Sequence, residues 1–373
     1  MLKIAYVMPK EEINNNFAGV MKKIEMQIKA FRNHNLDVEI IDTTVRENSI
    51  WSKVERRLPY GKVSGDWKKL KQIDEADCIY LRYISSDYKF IKYLKDIKKN
   101  RKDIKIIIEI PTYPYDKEKK VTISNLPIIL KDKINRKKLF KYVDKITTYS
   151  DDKKIFNIKT INISNGIDFE TIKVKSENCI TRKDEDIELI AVATFAHWHG
   201  YDRVIKGIKE YYDRGGERKV RLHLVGDGIE LNTYKKLVKE CKLEDNVIFY
   251  GKKMGEELDL IYNNCNIGLD AMGRHRSGVF FNSSIKGKEY AAKGLPIISG
   301  VETELDKKNF KYYYRVPADD SAINIDEVIK FYNSSYKIGE KKENTYNEIR
   351  KYAKNMFDIN LCIKPIAKYI KEN

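Results

Sequence analysis

The sequence predicts an α/β protein of two doubly wound domains, on three observations. Short β-branched runs alternate with helical patterns, which is how parallel sheets covered on both faces are written. The alternation halts at a turn and a charged stretch near residue 175 and then starts again. The chain has 373 residues, too many for one ordinary core and suited to two.

In the first half, strands are expected at Lys3 to Met8, Val38 to Asp42, Cys78 to Tyr83, Lys105 to Ile110, Lys145 to Tyr149 and Lys159 to Ile163. Helices fit Val20 to Asn33, Tyr88 to Lys99 and Arg136 to Val143. Gly19 stands between the first strand and its helix, where backbone can approach a ligand closely or simply start the helix. Asn165-Gly166 reads as a turn, and the charged run Lys173 to Asp186 as a linker. The first domain is therefore placed at 1–175 and the second at 176–354.

The second half offers strands at Glu188 to Ala193, Arg221 to Val225, Asn246 to Tyr250, Ile267 to Asp270 and Pro296 to Ser299. Its helices are Asp202 to Arg214, Glu230 to Cys241, Glu256 to Asn263 and Ser284 to Lys293. A last helical pattern in 355–373 has no strand after it, and it is expected to pack back on the first domain.

With 42% hydrophobic and 34% charged residues, the chain is globular rather than disordered. The net charge of +17 is concentrated: residues 51–150 hold 26 Lys and Arg against 13 Asp and Glu. Such a face suits an anionic membrane surface, a lipid phosphate or a nucleic acid, unless Lys- and Asn-rich usage is merely genomic. No nucleic-acid motif or aromatic-interleaved basic run accompanies it, so nucleic acid is set aside. Cys78, Cys179, Cys241, Cys265 and Cys362 are scattered and odd in number, and read as reduced thiols of a cytoplasmic chain. The N-terminus reads as a core strand and not as a leader, and no apolar run approaches the ~20 residues of a membrane span. Membrane contact, if made, is expected to be peripheral, on the inner face.

The densest chemistry lies in Ser283 to Gly300. Ser283 or Ser284 suits a helix cap, and the unpaired N–H groups of a first turn attract a phosphate. Lys286 and Glu289, three apart, share a helical face: a cation beside the anion, and a carboxylate able to accept from sugar hydroxyls. An ordinary capped helix with a surface ion pair has the same residue types. His197, His199 and His275 lack a convergent carboxylate or cysteine set, so no metal is expected.

Read together, these motifs resemble the retaining GT-B nucleotide-sugar glycosyltransferases of the large family 4 group, which have two Rossmann-like domains. Glu289-Tyr-Ala-Ala-Lys-Gly294-Leu-Pro296 is similar to the E-x-x-x-x-G-x-P of their second domain. Phe195 to Arg203 resembles the turn opening that domain's first helix. Leu224-Val225-Gly226-Asp227-Gly228 and Val247-Ile248-Phe249-Tyr250-Gly251 look like its second and third turns, and Asn165-Gly166-Ile167-Asp168 like the close of the first domain. Tyr80-Leu-Arg82-Tyr83 and Ile108 to Asp116, with its Tyr113-Pro-Tyr115 loop, resemble polysaccharide-assembly members.

The resemblance implies a metal-independent, hexosyltransferase-type enzyme, with no cofactor because the nucleotide-sugar is itself a substrate. The partners implied are that donor, a glycan or lipid-linked acceptor, and an anionic membrane met by residues 51–150. Glu289 would hold the donor ribose; Lys286, with the N–H groups near Ser283 and Ser284, would hold the diphosphate. Gly226 would pass close to the nucleotide, and Gly251 and Lys252 would meet the base. Arg82, Tyr113 and Tyr115 would meet the acceptor, although Arg82 could equally pair with Glu109 and the tyrosines could be packed. The chain departs from the family at three points. Phe281 stands where many relatives have a second Glu, and Thr194 and His199 stand where they often have Arg and Lys. Arg276 is a candidate replacement charge, or else a solvent-facing arginine.

Overall fold

A computed structural model of the chain describes residues 1–8, 18–43, 54–58, 60–61, 65, 67, 73, 75–116, 122, 125–176, 186–337 and 339–372. Cys179 and most of the expected 173–186 linker lie outside the described residues. Two compact units emerge, residues 1–164 with 359–373, and residues 165–358. The first division falls ahead of the Asn165-Gly166 turn, earlier than the boundary expected at 175.

The first unit is a seven-stranded sheet of β1 (Leu2–Met8), β2 (Leu36–Asp42), β3 (Cys78–Arg82), β4 (Lys105–Ile110), β5 (Lys145–Thr148), β6 (Lys154–Ile155) and β7 (Ile158–Asn162), in the order β2-β1-β3-β4-β5-β7-β6. Its pairings are parallel except β6 with β7, a short hairpin too brief for periodicity to reveal. The Lys-Ile-Ile-Ile-Glu-Ile run of β4 is buried on both faces, as a central parallel strand requires.

Helices cover both faces of this sheet. On one, the helices Ala18–Asn33 and Ile359–Lys371 bury Ile24, Phe31, Ile363 and Ile366 against Ile4 and Tyr6. Emptying one such side chain, as in Ile363→Ala, costs ~2–5 kcal/mol. Lys105 Nζ donates to the carbonyls of Tyr369 at 3.1 Å and Ile370 at 3.0 Å, so a cation closes that helix's C-terminus. On the other face Tyr88–Asn100 buries Phe90 and Leu94, and Asp87 caps it by accepting from Phe90 N–H at 2.8 Å.

The second unit is a six-stranded sheet of β8 (Ile187–Thr194), β9 (Val220–Asp227), β10 (Val247–Gly251), β11 (Ile267–Leu269), β12 (Ile297–Ser299) and β13 (Tyr313–Arg315), ordered β10-β9-β8-β11-β12-β13 and parallel throughout. Its core packs Leu189, Leu222, Leu224 and Leu269 under Val204, Ile208 and Val328. The helix Lys342–Phe357 closes this unit, and Ile359–Lys371 belongs to the first, so the single pattern expected in 355–373 is two helices split at Asp358. Strand β13 and the helix Ile325–Ser335 were not assigned from sequence.

Candidate functional site

The strand order of the second unit fixes where a ligand belongs. From β8 the chain winds outward through β9 and β10, then returns to the opposite side of β8 with β11. A doubly wound sheet has its ligand crevice at such a reversal, beyond the carboxyl ends of the strands. The loops after β8 and β11 meet there. Met272 N–H donates to His199 O at 2.7 Å, and a Cβ on Gly200 (φ 64°) would stand 2.6 Å from Gly273 N, so glycine is what lets them touch. Arg203, fully buried, donates to the carbonyls of Met272, Ser321 and Pro317, which holds the β11 loop in place.

The helix Ile285–Lys293 begins at this reversal with Ser284 at its N-cap. The expected hydroxyl cap is absent. Ser284 Oγ donates to Asp270 Oδ1 at 2.8 Å instead, and Ser283 Oγ accepts from Asn165 N–H at 2.8 Å and from Lys288 Nζ at 3.1 Å. Lys288 is itself buried in an ion pair with Glu304 at 2.7 Å. Both serines therefore brace the turn, and the N–H groups of the first helical turn keep their capacity for an anion.

Lys286 points from that turn to His199, with Nζ 2.7 Å from Nε2. His199 Nδ1 accepts from Ala196 N–H at 3.0 Å, so in a neutral ring the proton sits on Nε2 and faces the lysine. Two donors then meet unless Lys286 is an uncharged amine; a charged Lys286 instead moves the ring proton to Nδ1 and deprives Ala196 N–H of its acceptor. Burial lowers Lys286 to about 8 against the pull of Asp270, and Arg274 pushes the same way. Burial, then Lys286 and Arg274, hold His199 well below its usual range. Lys286, His199 and the first-turn N–H groups thus gather donors at the reversal, with Asp270 and Glu289 near enough to raise Lys286. Glu289 lies one turn further along the helix, half-buried.

Arg276 occupies a different position from the one its sequence suggested. Its guanidinium grips Asp202 bidentately at 2.8 and 2.9 Å, and bonds Asp320 at 2.6 Å and His197 O at 3.0 Å, a clamp between loops. The cation that bears on Lys286 and His199 is Arg274, beside the Trp198 ring at 5.9 Å. Sequence reasoning missed it and Asp270, although a carboxylate ending a buried strand is a readable signal.

Gly226 (φ 136°) ends β9 against β8, where a Cβ would lie 1.9 Å from Ala193 O. Gly251 (φ 67°) has open space beside it at the end of β10, and Lys252 Nζ, exposed, lies 3.7 Å from Asp227. Thr194 is exposed at the end of β8. Phe281 stacks under Lys307 Nζ at 4.5 Å and offers no carboxylate.

In the first unit the reversal falls between β1 and β3. Glu109, fully buried on β4, accepts from Tyr149 at 2.8 Å and Tyr80 at 3.1 Å, and pairs with Lys23 and Arg82, each at 3.2 Å. Burial raises this carboxyl, but Lys23 and Arg82 outweigh it and bring it to about 2; burial lowers Lys23 to about 8. Tyr115 donates to Asp132 at 2.8 Å, and Tyr113 packs edge-on to Phe156. Gly19 lies inside the first turn of the Ala18–Asn33 helix, and residues 9–17 are outside the described residues. Among the described residues no group of three or more His, Cys, Asp or Glu is placed to hold a metal, and no helix is long and apolar enough to cross a membrane.

Two parallel-sheet, Rossmann-like halves with these loops define the GT-B fold of glycosyltransferases. Residues 175–269, within the second unit, match the family model described as "Glycosyl transferases group 1"; the match stops short of the helix with Lys286 and Glu289. Among solved structures the chain is similar to the sucrose-phosphate synthase from Thermosynechococcus elongatus, at 14% identity and TM-score 0.68, covering 99% of each chain. It is similar to Anabaena HepE solved with UDP-glucose (12%, TM-score 0.61, 99% of each chain). It is also similar to WaaG, a glycosyltransferase involved in lipopolysaccharide biosynthesis (13%, TM-score 0.62, 99% of this chain and 100% of WaaG). No curated protein matches the chain by sequence.

Proposed function

We propose that this protein is a retaining, metal-independent glycosyltransferase of the family 4, polysaccharide-assembly type. It would carry a sugar from a nucleoside diphosphate donor to a lipid-linked glycan acceptor at the cytoplasmic face of a membrane. The observation that carries the reading is the reversal point of the second unit. There the first turn of Ile285–Lys293, with no hydroxyl cap, lies beside Lys286 and Arg274, and among the described residues Lys286 makes its contact with His199 and with no carboxylate. A diphosphate leaving group gains charge as the glycosidic bond breaks, and fixed donors at that spot favour the transition state. Glu289, one turn further along the same helix, would hold the ribose hydroxyls. In a retaining displacement the departing phosphate oxygen helps to deprotonate the acceptor, so no separate base is required.

Thermal-shift titration with UDP, GDP, ADP, CMP and dTDP tests the donor site; UDP comes first because HepE was solved with it. Stabilisation by one nucleotide, lost in Glu289→Ala together with transfer, is the expected result. Indifference to all five rejects the site. Phe281, Thr194 and His199 favour a second reading, a non-catalytic GT-B subunit that binds a nucleotide or a partner enzyme, since Phe281 stands where many relatives have a Glu and the other two where they often have Arg and Lys. Donor hydrolysis or transfer by the purified chain excludes that reading.

A further inference from the structure

One helix of the first unit is built inside out. In Leu126–Asn135 the side chains turned into the protein are Lys131, Asp132 and Asn135, each at most 6% exposed, while Leu126, Leu130 and Ile134 stand 42%, 48% and 60% exposed. The inward polar face is not an accident of loose packing. Asp132 accepts from Tyr83 at 2.6 Å, from Ser86 N–H at 2.7 Å and from Tyr115 at 2.8 Å, and Lys131 Nζ donates to Gly61 O at 2.9 Å. Those bonds fix the helix's rotation, and rotation fixes what faces out. Residues 126, 130 and 134 are four apart and so form one stripe along the helix. Phe140, 50% exposed, follows in the next turn of chain, Arg136–Lys141.

The charges around the stripe have one sign. Residues 126–141 contain six basic side chains and one acidic, and the acidic one is the buried Asp132. Lys133, Lys137, Lys138 and Lys141 are exposed. A helix with an apolar stripe and a lysine border suits the interface of an anionic bilayer, where the apolar side chains enter the acyl boundary and the ammonium groups meet lipid phosphates. A protein partner of this chemistry would need an acidic rim around an apolar groove.

We propose that the outward face of Leu126–Asn135, with Phe140 and its lysine border, docks this protein onto an anionic lipid bilayer. The proposal rests on the membrane-surface reading above and assigns it to one element. A carboxylate network that turns leucines toward water is explained if those leucines are not in water when the protein works.

The test is flotation of the full chain with phosphatidylglycerol–phosphatidylcholine vesicles and with phosphatidylcholine alone. Two variants accompany it, Leu130→Ser/Ile134→Ser/Phe140→Ser and Lys133→Gln/Lys137→Gln/Lys138→Gln/Lys141→Gln, with thermal midpoint and nucleotide-induced shift recorded for each. The expected result is binding to the anionic vesicles only, weakened on the order of a hundredfold by the serine variant and at least as much by the glutamine variant, with midpoints and nucleotide shifts retained. Wild-type binding that the serine variant preserves overturns the assignment and leaves membrane association standing elsewhere on the surface. Wild-type protein that ignores vesicles but forms a dimer, which the serine variant dissociates, makes a second copy the occupant and overturns the proposal. Equal binding to neutral vesicles removes the lysine border from it. A nucleotide shift intact in any of these cases keeps the donor site separate from the outcome.

Discussion

The reversal points of the two sheets were built alike and finished differently. Each brings a lysine, an arginine and a carboxylate to the carboxyl ends of parallel strands, and in each burial lowers the lysine to about 8: Lys23 in the first unit, Lys286 in the second. In the first, Glu109 takes both cations and two tyrosines into direct contact. In the second, Ser284 donates to Asp270, and among the described residues Lys286 meets an imidazole and no carboxylate. Topology chooses the place, and charge compensation decides whether that place is scaffold or receptor.

Removing Glu109 should have the largest effect, and on stability. Glu109→Ala strands Lys23 and Arg82 in the interior at a cost of ~3–5 kcal/mol, read by urea unfolding of the first unit. A loss under ~1 kcal/mol would make that cluster as open as its counterpart. The folded carboxyl sits near 2, below its ordinary value of about 4.3, so its stabilisation is whole above pH ~4.3 and is lost as pH falls toward 2. Glu109→Gln should flatten that acid limb.

Lys286→Ala should act the other way, lowering transfer by ~10²–10³ with little change in unfolding midpoint. A large fall in midpoint with activity kept would make the second cluster scaffold too. Because Lys286 titrates near 8, with His199, Asp270, Arg274 and Glu289 around it, nucleoside diphosphate affinity should drop about tenfold from pH 7 to 9 as the ammonium is lost. Calorimetry in buffers of different ionisation enthalpy should register proton uptake near pH 8, and Lys286→Arg should abolish both effects. The smallest contrast is within one loop: Arg274→Ala should weaken nucleotide binding a few-fold, about 1 kcal/mol. Arg276→Ala should cost stability and leave affinity nearly unchanged.

Much of this was legible in residues 165–300. Strand and helix patterns alternate there, and Gly226 and Lys286 each carry a signal a single sequence can display. What was not legible depends on the direction of side chains. Ser283 and Ser284 have the composition of a cap, but Asn165, Asp270 and Lys288, distant in sequence, claim their hydroxyls. Arg274 and Arg276 are indistinguishable as letters; the position of Asp202 is what makes Arg276 the clamp. In Leu126–Asn135 a periodic reading would turn the leucines inward, and Asp132's three bonds turn them out.

The final helix, Ile359–Lys371, has a consequence for how the protein is made. It fills a face of the first unit with Ile363 and Ile366, yet it is translated only after the whole of residues 165–358. The first unit thus waits for a segment made after the second, while residues 165–358 have everything they require sooner. A nascent chain stalled at Asp358 would carry a finished second half and a first half with its apolar face bare. Quality control would meet that exposed face first, and a C-terminal truncation should register as a defect of the N-terminus.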